Sequence, residues 1–102
     1  MPFERFTPHA FTPFSVRTNA PAASGIYGVS NAREWIYIGE TDNIQTSLLI
    51  LRGNASLSEH SPTGFVFELC PRAARLARQD RLILEYGPTH NRRPEAATGE
   101  IA

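Results

Sequence analysis

Lysine is absent from this 102-residue chain: all ten basic residues are arginine. Ten acidic residues balance them, so the net charge is zero. That excludes the large overall basic excess of a strong nucleic-acid binder. Cys70 is the single cysteine, which rules out an internal disulfide and a cysteine-built metal centre. At the end of the apolar run FVFELC it reads as a buried, inert thiol. No apolar run approaches the roughly 20 residues that cross a bilayer. The opening MPFERFTPHAF lacks a basic stretch followed by an apolar core, so no secretory signal is read and a cytoplasmic location is expected. Internal repeats and low-complexity tracts are missing as well. What remains has the length of one domain with one modest core.

Two short apolar segments dominate what is present. SGIYGVS and EWIYIGE each set a tyrosine beside a glycine in a β-prone run, and Asn31-Ala32-Arg33 joins them. They predict a hairpin with strands over 25–30 and 34–39. Simple alternation places Tyr37 on one face with Trp35, and Ile36 with Ile38 on the other. Residues 1–24, rich in Pro, Phe, Thr and Ala, predict an extended lead-in with a short strand around Phe14–Arg17. After Gly39 a helix is expected, capped by Asp42 or Thr41, with Gln45 completing a capping box. Its apolar positions are Ile44, Leu48 and Leu51. Gly53-Asn54 ends it, and 54–63 reads as a polar loop. Gly64–Cys70 predicts a third strand. Pro71 opens a second helix from Arg72 to Tyr86, which Gly87-Pro88 closes.

The resulting class is α/β (α+β): a three-stranded sheet flanked by helices in the order β-β-α-β-α. The domain spans 25–92, preceded by the 1–24 lead-in packed against it and followed by a polar tail, 93–102. Leu48, Leu49, Ile50 and Leu51 run in succession and cannot share one helical stripe. Either the phenylalanine-rich lead-in covers them, or a second chain or protein partner does. Six arginines fall between Arg72 and Arg93, opposed there only by Asp80 and Glu85. Such a cluster suits a solvated helix surface or phosphate contacts by Arg72, Arg75 and Arg78, aided by Arg33 and Arg92.

SGIYGVSNAREWIYIGETDNI resembles the core of the GIY-YIG nuclease superfamily, and RLILEYGPTHN resembles its later helix leading into Pro-x-x-Asn. That resemblance implies a metal-assisted phosphodiesterase site, with magnesium or manganese as the cofactor of an active member. Its tyrosines fall on Tyr27 and Tyr37 and its asparagine on Asn91. Its phosphate-stabilising arginine falls on Ser47, its histidine on Leu51 and its metal-holding glutamate on Gln79. The cation, the imidazole and the carboxylate are therefore all replaced. Arg52 and Asp80 point about 140° and 100° away from those positions around their helices. Glu40 follows the second glycine and stands nearest the site; Glu85 lies nearly two turns past Gln79, Glu59 and His60 lie in a loop whose path the sequence does not give, and spacing supports none of them as a stand-in. The expectation is a GIY-YIG endonuclease-like domain of degenerate activity, with vestigial phenols and no cofactor, acting as a weak nucleic-acid-binding or interaction module. The alternatives are an active divalent-metal-dependent DNA endonuclease with relocated groups, and a protein–protein interaction module.

Overall fold

The computed structural model describes residue 3 and residues 7–90. Asn91, Arg92 and the expected polar tail lie outside the described residues. Chain order is β1 (His9–Ala10), α1 (Pro13–Asn19), β2 (Gly25–Ser30), β3 (Trp35–Thr41), α2 (Ile44–Arg52), α3 (Ala55–Ser58), β4 (Gly64–Leu69) and α4 (Arg72–Tyr86).

The hairpin forms where the two apolar runs predict it. β2 pairs antiparallel with β3, with Tyr27 opposite Gly39 and Val29 opposite Tyr37. β4 adds to the other side of β2, also antiparallel, with Gly25 opposite Leu69 and Tyr27 opposite Phe67. The sheet has four strands rather than three, because β1 pairs with β4 through His9 and Ala10. The order across the sheet is β1-β4-β2-β3.

Helices cover both faces of this sheet, so β2 is buried on both sides from Gly25 to Val29. One core holds Phe11, Val16, Tyr27, Val29, Ile36, Ile44, Leu48, Leu57 and Phe65, under α1 and α2. The other holds Phe3, Ile26, Ile38, Val66, Cys70 and Leu82, under α4. The buried thiol of Cys70 matches its reading as a packing residue.

Four expectations need correction. The segment around Phe14–Arg17 is helical: Thr12 accepts the Ser15 amide at 3.1 Å and Pro13 fills the first turn. Proline at that position loses no helical hydrogen bond, so a proline-rich segment need not be extended. Helix α2 is capped by Asn43, whose side chain accepts the Thr46 amide at 2.9 Å. Gln45 forms no capping box and instead donates to the carbonyl oxygens of Arg17 and Ala20. The 54–63 stretch contains the short helix α3, which buries Leu57 in the first core. Finally, a bulge between Val29 and Ser30 breaks the alternation of β3, setting Trp35 opposite Ser30. Trp35 therefore packs on the α4 side with Phe3 and Tyr86, ring centroids 5.7 and 4.6 Å away. Ile36 joins Tyr37 on the opposite side.

The Leu48–Leu51 run is covered mostly from within the chain. Leu48 is fully buried, and Leu49 and Leu51 pack against the first core. Only Ile50 is open, at 71% exposure. Phe11 contributes to that cover, while Phe3 serves the opposite face and Phe14 faces solvent.

Candidate active site

The hairpin register brings the two signature phenols together. Tyr27 from β2 and Tyr37 from β3 lie on the α1/α2 side with ring centroids 6.0 Å apart. Tyr27 is 6% exposed, whereas Tyr37 is only half-buried. Burial pushes the Tyr27 phenol well above its ordinary value, helped by the Tyr37 phenol, a hydrogen bond with it, and the Glu40 carboxylate. Removing its proton would bury an anion in an apolar setting, so at neutral pH Tyr27 remains a neutral phenol.

Gly39 makes the seat for that phenol. A Cβ there would fall on the Tyr27 hydroxyl, 2.5 Å from Cζ and 2.9 Å from Cε2. The glycine of the second signature word is thus required by the tyrosine of the first, across one rung of the hairpin.

The positions that the resemblance aligns with the family's arginine, histidine and glutamate carry local roles here. Ser47 shares a 2.6 Å hydrogen bond with the Thr41 hydroxyl, which also accepts the Asn43 amide at 3.0 Å. It therefore ties the end of β3 to the first turns of α2. Leu51 fills the edge of the first core. Arg52 turns away, over the ring of Phe11 at 5.7 Å. Gln79 reaches across from α4, and its Nε2 donates to the Ile38 carbonyl oxygen at 3.1 Å. β3 is an edge strand, and its carbonyls need such donors. The backbone amides of Thr89 and His90 supply two more, to Trp35 at 3.0 Å and Ile36 at 2.7 Å.

A carboxylate in place of the Gln79 amide would set two acceptors against the Ile38 carbonyl. Gln79→Glu is expected to lower stability by about 1–2 kcal/mol in chemical denaturation at neutral pH. Gln79→Met, which removes the polar group altogether, should cost less than the charged variant.

Two of the arginines that the sequence offers to phosphate are committed to carboxylates. Arg75 is 7% exposed. Its Nε donates to Glu40 at 2.7 Å, and its Nη1 donates to Asp42 at 2.6 Å and to the Ser24 hydroxyl at 3.0 Å. This guanidinium holds Asp42 below the usual carboxylate range. Arg78 makes a two-pronged pair with buried Glu68, through Nε to Oε2 and through Nη2 to Oε1 at 2.9 Å. Both residues lock α4 onto the sheet instead of projecting a cation. Arg33 and Arg72 are exposed. Glu40, which follows the second glycine, is the partner of Arg75 and so is also spent.

The structure adds one neighbour to the phenols that their motif does not announce. The ring of His90 lies 5.7 Å from that of Tyr37, nearly perpendicular to it. His60, whose loop had no readable path, lies 6.0 Å from His90. Nothing in the spacing of residues 60 and 90 signals this approach, because it depends on how the loop before β4 and the segment after α4 return to the β2–β3 hairpin.

No family model matches the sequence, and no curated protein matches it either. Solved structures do match the fold. The chain superposes on the GIY-YIG N-terminal endonuclease domain of UvrC from Thermotoga maritima bound to its catalytic magnesium, with a TM-score of 0.63 and 20% identity. The match covers 76% of this chain and 96% of that one. Tyrosine and asparagine point mutants of the same domain, bound to its catalytic divalent cation, superpose equally, with TM-scores of 0.63 and 0.64 at 19% identity. The chain has the GIY-YIG endonuclease fold.

The residue that the sequence resemblance aligns with a metal-holding glutamate, Gln79, does not suit a divalent cation of that kind. Hard cations take anionic oxygen, and Gln79 offers a neutral amide already engaged with the backbone. Among the described residues no group of three or more His, Cys, Asp or Glu side chains is arranged to hold a metal ion.

Proposed function

We propose that this GIY-YIG-fold domain binds nucleic acid weakly through its surface arginines and has lost metal-dependent cleavage. The observation that carries the reading is the use of Gln79. A side chain at the metal-holding position donates a hydrogen bond to an edge-strand carbonyl, a task that an ionised carboxylate cannot perform. Ser47 and Leu51 support it, one bound to Thr41 and the other packed in the core. Loss of a preorganised cation and of a metal-holding group each removes orders of magnitude in rate.

Binding rests on Arg33 and Arg72, together with Arg92 from the sequence, since Arg75 and Arg78 are held by Glu40, Asp42 and Glu68. Two or three phosphate contacts give weak, sequence-independent affinity. The logarithm of the binding constant should fall with the logarithm of salt at a slope of about −2 to −3.

Fluorescence anisotropy of a labelled duplex tests the binding half. Retention at about 50 mM salt and release by about 200 mM salt is the expected result; no retention at low salt refutes it. Incubating plasmid with magnesium or manganese tests the other half. No cleavage is expected, and metal-dependent nicking that disappears in Tyr37→Phe would overturn the assignment.

A further inference from the structure

Three separate loops converge beside Tyr37. The β2–β3 turn brings Glu34, the loop after α3 brings His60, and the segment after α4 brings Thr89 and His90. Each is pinned by hydrogen bonds. Asn31 Nδ2 donates to the His60 carbonyl oxygen at 2.7 Å, and the His90 amide donates to Ile36 at 2.7 Å. Glu34 joins the other two loops through its carboxylate. Oε1 accepts the Thr89 hydroxyl at 2.8 Å, and Oε2 stands 4.0 Å from His60 Nδ1. The two imidazoles lie 6.0 Å apart with planes at 79°. His60 also lines an open cavity of about 370 Å³ with Arg33, Glu34, Glu59 and Ser61. Ser61 is held at a φ of 52°, in the left-handed region, immediately after His60.

We propose that His60 and His90 form an acid–base pair for metal-independent cleavage of single-stranded RNA, with Arg33 supplying the cation for the phosphate. This goes beyond the proposed function and does not depend on it, because it uses neither Gln79 nor a divalent ion. The chemistry requires a base and an acid within hydrogen-bond reach of the two oxygens that flank one phosphorus. Two solvent-facing imidazoles in contact meet that need, and a lone histidine does not. The Glu34 carboxylate, 4.0 Å from Nδ1, sets negative charge beside His60 and favours its protonated form as the acid. Arg33 lies in the same cavity and suits the charge that builds on the non-bridging oxygens.

In the reaction, His90 takes the proton of a ribose 2′-hydroxyl. The O2′–P bond forms and the P–O5′ bond breaks. Protonated His60 gives its proton to the departing 5′-oxygen. The products are a 2′,3′-cyclic phosphate and a 5′-hydroxyl, with no water, metal or oxidant consumed. DNA, which lacks the 2′-hydroxyl, cannot be a substrate.

The full chain is incubated with a labelled single-stranded RNA in excess EDTA, and products are identified by mass spectrometry. Cleavage to cyclic-phosphate ends is expected, with the DNA and 2′-O-methyl versions of the same sequence left intact. His60→Gln and His90→Gln should each lower the rate about a hundredfold or more. His9→Gln, at the far edge of the sheet, should leave it unchanged. Thermal melting of each variant separates loss of chemistry from loss of fold. Absence of cleavage overturns the proposal. So does cleavage that survives in both histidine variants or that requires a divalent ion.

Discussion

Gly25→Ala is expected to destabilise the domain by about 3 kcal/mol or more, enough to leave a substantial unfolded population in a small domain. The added Cβ would overlap the Glu68 carbonyl oxygen and stand 2.7 Å from Ile44 Cδ1. The first of these is backbone in the neighbouring strand and cannot rotate away. Relief requires β2 and β4 to part where Gly25 faces Leu69, opening the end rung between the two central strands. Denaturant unfolding followed by far-UV circular dichroism measures the loss. Gly39→Ala is the informative companion. It meets a side chain, the Tyr27 ring, so its cost should be smaller and should fall in Tyr27→Phe or, more strongly, Tyr27→Leu backgrounds. A Gly39→Ala cost unaffected by changes at Tyr27 would show that the two residues are not coupled.

The second large effect is expected at Arg78. Glu68 is a carboxylate on a central strand, 9% exposed, and Arg78 grips both its oxygens. Arg78→Ala removes that grip while leaving the charge in place, and should cost about 3 kcal/mol. Replacing both partners by apolar residues of similar size, Arg78→Met with Glu68→Leu, should recover most of the loss, since no buried charge then remains. A double-mutant cycle in urea gives the coupling directly. If Arg78→Ala costs under about 1 kcal/mol, the pair behaves as a solvated surface ion pair instead.

Parts of this molecule were legible before its fold was known, for local reasons. The hairpin is written into two β-prone runs with a short polar joint. Helix α4 is written into Pro71 at one end and Gly87 at the other, and it runs from Arg72 to Tyr86 as predicted. Thr12 and Pro13 carry a legible helix start, but four prolines in the surrounding segment pointed to extended chain. The bulge at Val29/Ser30 had no comparable mark. It turns Trp35 to the α4 side and so decides which aromatic residues stand beside the phenols.

The candidate site divides in the same way. The sequence placed Tyr27 and Tyr37 on the two strands of one hairpin, and its resemblance to the GIY-YIG core aligned Ser47, Leu51 and Gln79 with that family's arginine, histidine and glutamate. The hairpin follows from short-range spacing, and the alignment from the resemblance. Only the tertiary structure decided which charges stay available. Arg75 meets Glu40 and Asp42, and Arg78 meets Glu68, because α4 folds back across β3 and β2; a run of arginines read along the chain does not contain their distant partners. Long-range packing likewise brings His90 to Tyr37 and His60 to His90, from loops thirty residues apart. Long-range packing, with no local signature, sets both the loss of two surface cations and the gain of two imidazoles.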